Sequence, residues 1–231
     1  MKKDQLRRGE QGEQIILSLL ENDKSIYHKV ISNLILLGNN GMTHQIDFID
    51  IRPNGIFVIE AKNIYGKLEG KMDDDFWHRT YLKRGQLVKE KITNPIKQNS
   101  SHIRIIKKNL KVNYPFFNII ALVQNNADEL GIFKVCNLTN LISRISMMED
   151  DITLTNNEIN NIYQNLLSLE AYTSEKEHLS NIKKMKEDKD AFVKESIYAI
   201  ENRKCPRCQN SLILHKDTLC CNKCGYFLKI N

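Results

Sequence analysis

No apolar run in this sequence approaches the roughly 18 residues that a membrane span needs, which excludes an integral membrane helix as its organising element. The opening stretch MKKDQLRRGEQGEQ has charges but no apolar segment behind them, so a secretory signal is not expected and a reducing cytoplasm is. Cysteines are not spread along the chain as a secreted disulfide framework would have them: Cys136 stands alone and the other five crowd between Cys205 and Cys224. Internal repeats and low-complexity tracts are absent. What is present is a globular composition of 231 residues, 41% hydrophobic and 27% charged, with a net charge of +6. That length holds one medium domain and a small accessory unit. The basic lean suits a polyanion such as nucleic acid. It also suits a Lys-, Asn- and Ile-rich chain with no such partner.

The hydrophobic pattern lays out a mixed α/β order. Ile15, Ile16, Leu19 and Leu20 recur at helical spacing over residues 10–20, and Glu13 falls on the inward side of that helix. Strands are expected over 30–37, 45–51 and 56–62, then shorter ones over 67–69, 76–82 and 87–92. Pro95 opens a helix to about residue 110, with Ile96, Ile103, Ile106 and Leu110 on its apolar face. Strands over 116–123 and 132–135 and helices over 138–148 and 158–169 follow. Cys136, at a strand edge, reads as a small core residue. Residues 174–203 are dense in mixed charge, with neither glycine nor proline, and read as an exposed helical spacer. Its apolar positions Leu179, Ile182, Met185 and Ile197 offer the alternative of a dimerising helix.

Arg52-Pro53-Asn54-Gly55 is turn chemistry between two apolar strands. If Ile51 pairs with Ile56 across it, Asp47 lies opposite Glu60, where Cβ atoms stand roughly 4.5–5.5 Å apart. Two carboxylates so close repel unless something positive lies between them, and a divalent cation with oxygen ligands answers that. Lys62, two residues past Glu60, points to the same face. There it can orient water or stabilise a charged transition state. The same spacing also suits a plain structural ion-pair cluster of Asp47, Glu60 and Lys62.

Asp47 followed by Glu60-Ala61-Lys62 resembles the signature of the restriction-endonuclease-like PD-(D/E)xK superfamily. More narrowly, the first half resembles the nuclease-related (NERD) domain. The likeness runs through Gly9-Glu10-Gln11-Gly12-Glu13, Gln45-Ile46-Asp47, the run from Asn54 to Asn63, Gly66, Trp77, Asn94-Pro95 and Gln98. The resemblance implies a restriction-endonuclease-like mixed central sheet flanked by helices. It further implies Mg²⁺ or Mn²⁺ held by Asp47 and Glu60, with Lys62 assisting the attacking water or the pentavalent phosphate. Glu13 would be a further metal or water ligand, or else a carboxylate satisfying a helix N-terminus. Gln98 would contact the site or the substrate backbone. His102, four residues on, reads as a solvated or core-edge histidine or a site neighbour. Trp77 reads as core or as a stacking surface, and Gln45 as support for Asp47.

Cys205-Pro206-Arg207-Cys208 and Cys221-Asn222-Lys223-Cys224-Gly225 are two CxxC knuckles twelve residues apart. Four thiolates at that spacing are a tetrahedral zinc set, and zinc would drive the folding of so small a unit. Cys220 is the alternative to Cys221. The unit resembles the zinc ribbons appended to topoisomerases, and Lys204, Arg207, Lys216, Lys223 and Lys229 suit phosphate contacts. A protein-docking ribbon is the other reading. The expected organisation is a nuclease-like domain at 1–125, its extension at 126–172, a charged helical linker at 173–203 and a zinc ribbon at 204–231. The expected function is metal-dependent phosphodiester hydrolysis in DNA, with RNA as a second substrate. The alternative is a non-cleaving module that binds nucleic acid or the proteins of a repair or defence system.

Overall fold

The computed structural model describes residues 2–38, 43–110, 114–124, 126–170 and 175–230. Side chains are described for all of these except 2–9, 175–179, 181, 182, 185, 186, 188 and 189. The chain divides into two compact units, Met1–Tyr172 and Thr173–Asn231.

The first unit is built on a five-stranded mixed sheet. β1 (Lys29–Leu37), β2 (Thr43–Arg52) and β3 (Gly55–Lys62) run as an antiparallel meander. After a crossover, β7 (Phe116–Leu122) lies parallel to β3, and β8 (Val135–Asn137) parallel to β7. β3 is central, and its apolar run from Ile56 to Ile59 is buried on both faces, as a central strand requires. Ile56 and Val58 join the core under α2 (Pro95–Leu110) and α4 (Asn156–Ser168). Phe57 and Ile59 join the core under α1 (Lys2–Glu21) and α3 (Leu141–Ser146).

Several boundaries differ from the sequence reading for identifiable reasons. α1 begins eight residues before the expected start at residue 10, because its polar first half has no apolar stripe to mark it. Among its described apolar side chains only Ile16 and Leu20 are buried, and Ile15 is exposed. The strand expected over 132–135 appears as β8 because the preceding residues form a turn, closed by Val135 N–H donating to Ile132 O at 2.9 Å. The helix expected over 138–148 opens as a 3₁₀ turn, Leu138–Asn140, before α3. α4 starts two residues early on a Thr155/Glu158 capping box.

β4 (Lys67–Glu69), β5 (Phe76–Lys83) and β6 (Gln86–Thr93) form a separate three-stranded antiparallel sheet within the crossover. Its hairpin turns on Arg84 and Gly85, both with positive φ (52° and 79°), the geometry that two-residue hairpin loops require. Trp77 anchors this sheet. It is fully buried, and its Nε1 donates to Lys71 O at 2.9 Å. A Cβ on Gly70 would stand 2.2 Å from the indole, so only glycine lets the loop close over it. Of the two readings for Trp77, core is the one found.

In the second unit the charged stretch forms α5 (Glu175–Asn202). A three-stranded ribbon of β9 (Ile213–His215), β10 (Thr218–Cys220) and β11 (Phe227–Lys229) follows. Leu179, Ile182 and Met185 lie outside the described side chains, and Ile197 is exposed on α5. Among the described residues no helix is long and apolar enough to cross a membrane.

Candidate functional site: a buried carboxylate cluster and a four-thiol cluster

The end of β3 gathers polar groups where the strand pattern would place apolar ones. Glu60 follows Val58 on the face covered by α2, and it is buried. Its Oε1 accepts from Lys62 Nζ at 2.5 Å and from Gln98 Nε2 at 2.6 Å. Its Oε2 lies 3.4 Å from His102 Nδ1, yet neither atom has a hydrogen-bond partner and both are buried. The His44 ring meets that of His102 edge-on, with centroids 6.2 Å apart.

Amides hold α2 in this position. Asn94 Oδ1 accepts from Ile96 N–H at 2.9 Å, and its Nδ2 donates to Asp74 O at 2.7 Å, which ties the helix start to the loop beneath Trp77. One turn on, Asn99 Nδ2 donates to Val58 O at 2.7 Å and to Asn118 Oδ1 at 2.8 Å. Asn118 Nδ2 in turn donates to Ile96 O at 2.9 Å. The helix is therefore stapled to β3 and β7 next to Glu60, so Gln98 and His102 arrive at fixed positions. Gln98 and His102 stand four apart and share one side of α2.

Asp47 is reached differently. The register Ile51↔Ile56 is the one the turn predicts, and the ladder runs from it as far as Phe48↔Ile59. At that point the pleat reverses. Asn33 on β1 takes a left-handed backbone (φ 56°), and the regular β1–β2 pairs skip it. Ile31, Leu34 and Leu36 then share one core, as do Ile46, Ile49 and Ile51, so the alternation changes parity on both strands. Asp47 sits at the change. Its Oδ2 accepts from Ala61 N–H at 2.8 Å, so its side chain carries on the strand pairing where the ladder stops.

The electrostatics separate the two acids. Burial pushes the Asp47 carboxyl up to about 7, helped by the charge of Glu60 and more weakly by Glu13; the Ala61 N–H and Lys62 oppose this. Burial also raises Glu60, but His102 and Lys62 together outweigh it and hold that carboxyl below the usual range. The arrangement keeps Glu60 ionised and paired, while Asp47 gives up its proton only around neutral pH.

Of the residues singled out by sequence, Glu60, Lys62 and Gln98 are in direct contact. Asp47 is joined to Glu60 and Glu13 by charge. Asp47, Glu60 and Glu13 are not drawn together as tightly as a formed cation site would be: among the described residues, the only group of three or more such ligands within 4.8 Å is the cysteine set. Gln45 does not support Asp47; its Nε2 donates to Asn33 Oδ1 at 3.0 Å. Cys136 is buried on β8, and burial pushes its thiol up to about 11. Sequence reasoning gave His44 no role and missed Asn99 and Asn118. The one available signal was that His102 shares a helix face with Gln98.

The four sulfurs of Cys205, Cys208, Cys221 and Cys224 all lie within 4.8 Å of one another. Two Sγ–Sγ distances, Cys205–Cys224 and Cys208–Cys221, are 3.5 Å. A tetrahedron with Zn–S bonds of about 2.3 Å has edges of about 3.8 Å, so the set fits zinc. Cys220 is outside it, its Sγ directed to Thr218 O at 4.0 Å, which decides between Cys220 and Cys221. The knuckles repeat each other: Cys205 O accepts from Gln209 N–H at 2.9 Å, and Cys221 O from Gly225 N–H at 3.0 Å. Both closing residues have positive φ, Gln209 at 58° and Gly225 at 72°.

An uncharacterized protein of Bacillus anthracis is 28% identical over 170 residues, covering 69% of this chain and 76% of that protein. No solved structure matches the chain. The model of the nuclease-related domain matches residues 8–123, the span holding most of α1, the meander, the small sheet, α2 and β7 with the whole carboxylate cluster, and on that match the chain belongs to the nuclease-related domain (NERD) family.

Proposed function

We propose that the protein is a metal-dependent nuclease of restriction-endonuclease-like, PD-(D/E)xK design. Residues 1–125 would form the nuclease-like domain, completed by 126–172, and the C-terminal zinc ribbon would grip nucleic acid. The observation that carries this reading is the pair Asp47 and Glu60. Burial, helped by the charge of Glu60, drives the Asp47 pKa up to about 7, and the buried Glu60 Oε2 faces His102 Nδ1 at 3.4 Å without a formed hydrogen bond. A divalent cation relieves both conditions. Asp47 and Glu60 would hold Mg²⁺ or Mn²⁺, which supplies polarisation of a phosphoryl oxygen and acidification of bound water.

The chain's own groups have separable tasks in this reading. Gln98 fixes the Glu60 carboxylate in its plane. Lys62, held on Glu60, places an ammonium beside the reacting phosphate and stabilises its growing charge. Glu13 adds negative charge at the Asp47 end. The cytoplasm, where thiolates stay reduced and DNA is at hand, is the setting this reading calls for.

One observation favours the second reading, a module that binds without cutting. Asp47 already accepts from Ala61, and Lys62 is already engaged by Glu60, so the cluster is satisfied in part as a structural ion pair. Incubation of plasmid and single-stranded DNA with Mg²⁺ or Mn²⁺ separates the two. The nuclease reading expects cutting by the parent and loss of about 10²-fold or more in Glu60→Gln and Lys62→Met. A parent that binds but never cuts, or variants that cut as well as the parent, decides for the binding module.

A further inference from the structure

The hairpin of β5 and β6 is built unlike the rest of the first unit. Between Phe76 and Thr93 it carries five lysines and arginines against a single glutamate, a net +4 where the entire chain has +6. β6 has no buried residue. Trp77 anchors the base, and Tyr65 meets Tyr81 edge-on; β4 pairs no further along β5 than Thr80, so the distal part is a two-stranded ribbon.

The cations are distributed on both sides of that ribbon. The register places Arg79 opposite Glu90 and Lys83 opposite Gln86 on one face. His78 opposite Lys91, and Thr80 opposite Lys89, occupy the other. Arg84 stands at the turn. Just before the turn, Leu82 and Leu87 are directly opposed and are 63% and 72% exposed. An exposed leucine pair near the end of a charged ribbon contributes nothing to the core.

We propose that this ribbon is a docking element for double-helical DNA, entering a groove with the Leu82–Leu87 pair in apolar contact inside it and the cations of the turn and of both faces toward the phosphates. A two-stranded ribbon matches the major groove, about 12 Å wide. Arg79 and Lys89 are already paired with Glu90 and Glu69, but Lys83 on one face and Lys91 on the other match a groove with phosphates on both walls, whereas a flat anionic surface would be met by one face only. Single strands are ordinarily held by exposed aromatic rings, and the exposed residues from Leu82 to Leu87 include none. The inference rests on the nuclease reading for its choice of partner.

The test measures binding apart from cutting: fluorescence anisotropy of a labelled duplex with the full, zinc-loaded chain in magnesium-free buffer, across a salt series. The triple variant Lys83→Gln/Arg84→Asn/Lys91→Gln puts at position 84 a residue that tolerates its positive φ and alters only exposed side chains. It should lower the slope of log affinity against log salt by about 2.7, about 0.9 per phosphate contact, with at least about a tenfold loss of affinity at 0.1 M salt. Leu82→Ser/Leu87→Ser should weaken duplex binding at an unchanged salt slope, which a purely ionic surface would not do. Parent-like affinity and slope in both variants overturns the proposal, as does an equal loss on a single strand of the same sequence. A chain that cuts DNA while both ribbon variants bind and cut normally sinks the ribbon and spares the nuclease. A chain that binds through the ribbon and never cuts does the reverse.

Discussion

Asp47→Asn should stabilise the first unit at alkaline pH. The Asp47 carboxyl is raised from 3.8 to about 7, mainly by burial and then by the charge of Glu60. A carboxyl raised in the folded state favours folding only while it holds its proton. Between pH of about 4 and 7 the folded chain keeps that proton and the unfolded chain has lost it, so stability falls as pH rises through this window. Above it the full cost of a crowded carboxylate is present. Three units at 1.36 kcal/mol each set a ceiling of about 4 kcal/mol; the half-buried position of Asp47 lets solvent and Lys62 relax around it, which brings the expected gain to about 2 kcal/mol. Asparagine retains an oxygen to accept from Ala61 and carries no charge. Trp77 is the sole tryptophan and is fully buried in this unit, so its fluorescence during urea unfolding reports the unit directly. Parent and variant should unfold alike at pH 4 and diverge by about 2 kcal/mol at pH 8 in magnesium-free buffer. A parent whose stability holds steady between pH 4 and 8 relative to Asp47→Asn, or a variant less stable than the parent at pH 8, would refute the claim that the two acids are in conflict.

Gly70→Ala places a methyl 2.2 Å from the buried Trp77 indole and should cost about 1–3 kcal/mol by urea unfolding, with a shifted tryptophan emission. Asn99→Leu strips a donor from Val58 O and Asn118 Oδ1 and should cost about 1–3 kcal/mol in the same assay. His28 pairs with Asp50 at 2.7 Å, which raises its pKa above 6.5 against the opposing effect of burial. Its contribution is present at low pH and lost as pH rises through the folded pKa, so His28→Gln should destabilise the chain more at pH 6 than at pH 9. Cys221→Ser should lower bound zinc and Cys220→Ser should leave it at one per chain, as read by elemental analysis; the opposite pattern would reassign the ligand.

How much of this was legible in the sequence depends on the kind of interaction. The cysteine knuckles were fully so, because the metal geometry is encoded in local spacing. The β2–β3 register was legible because Arg52-Pro53-Asn54-Gly55 closes the turn and Ile51 and Ile56 flank it. The direction of the Asp47 side chain was not. It depends on a left-handed Asn33 on the neighbouring strand, and one asparagine in an asparagine-rich chain gives no sign of taking positive φ. Asn99 and Asn118 were hidden in the same way: buried amides that tie helix to sheet have the composition of a polar surface. The buried network of Asp23, His28, Asp50 and Arg52 was missed because its members are up to 29 residues apart and meet only once β1 and β2 are paired. The helix positions of Gln98 and His102 could be aligned with each other, but their approach to Glu60 required the fold.

The central claim is that Asp47 and Glu60 form one cation site, and Mn²⁺ titration of the zinc-loaded chain at pH 8, followed by electron paramagnetic resonance, tests it most directly. The account predicts one Mn²⁺ bound per parent chain, competed by Mg²⁺ and lost in both Asp47→Asn and Glu60→Gln. Equal binding by the parent and both variants, or none by the parent, would contradict it.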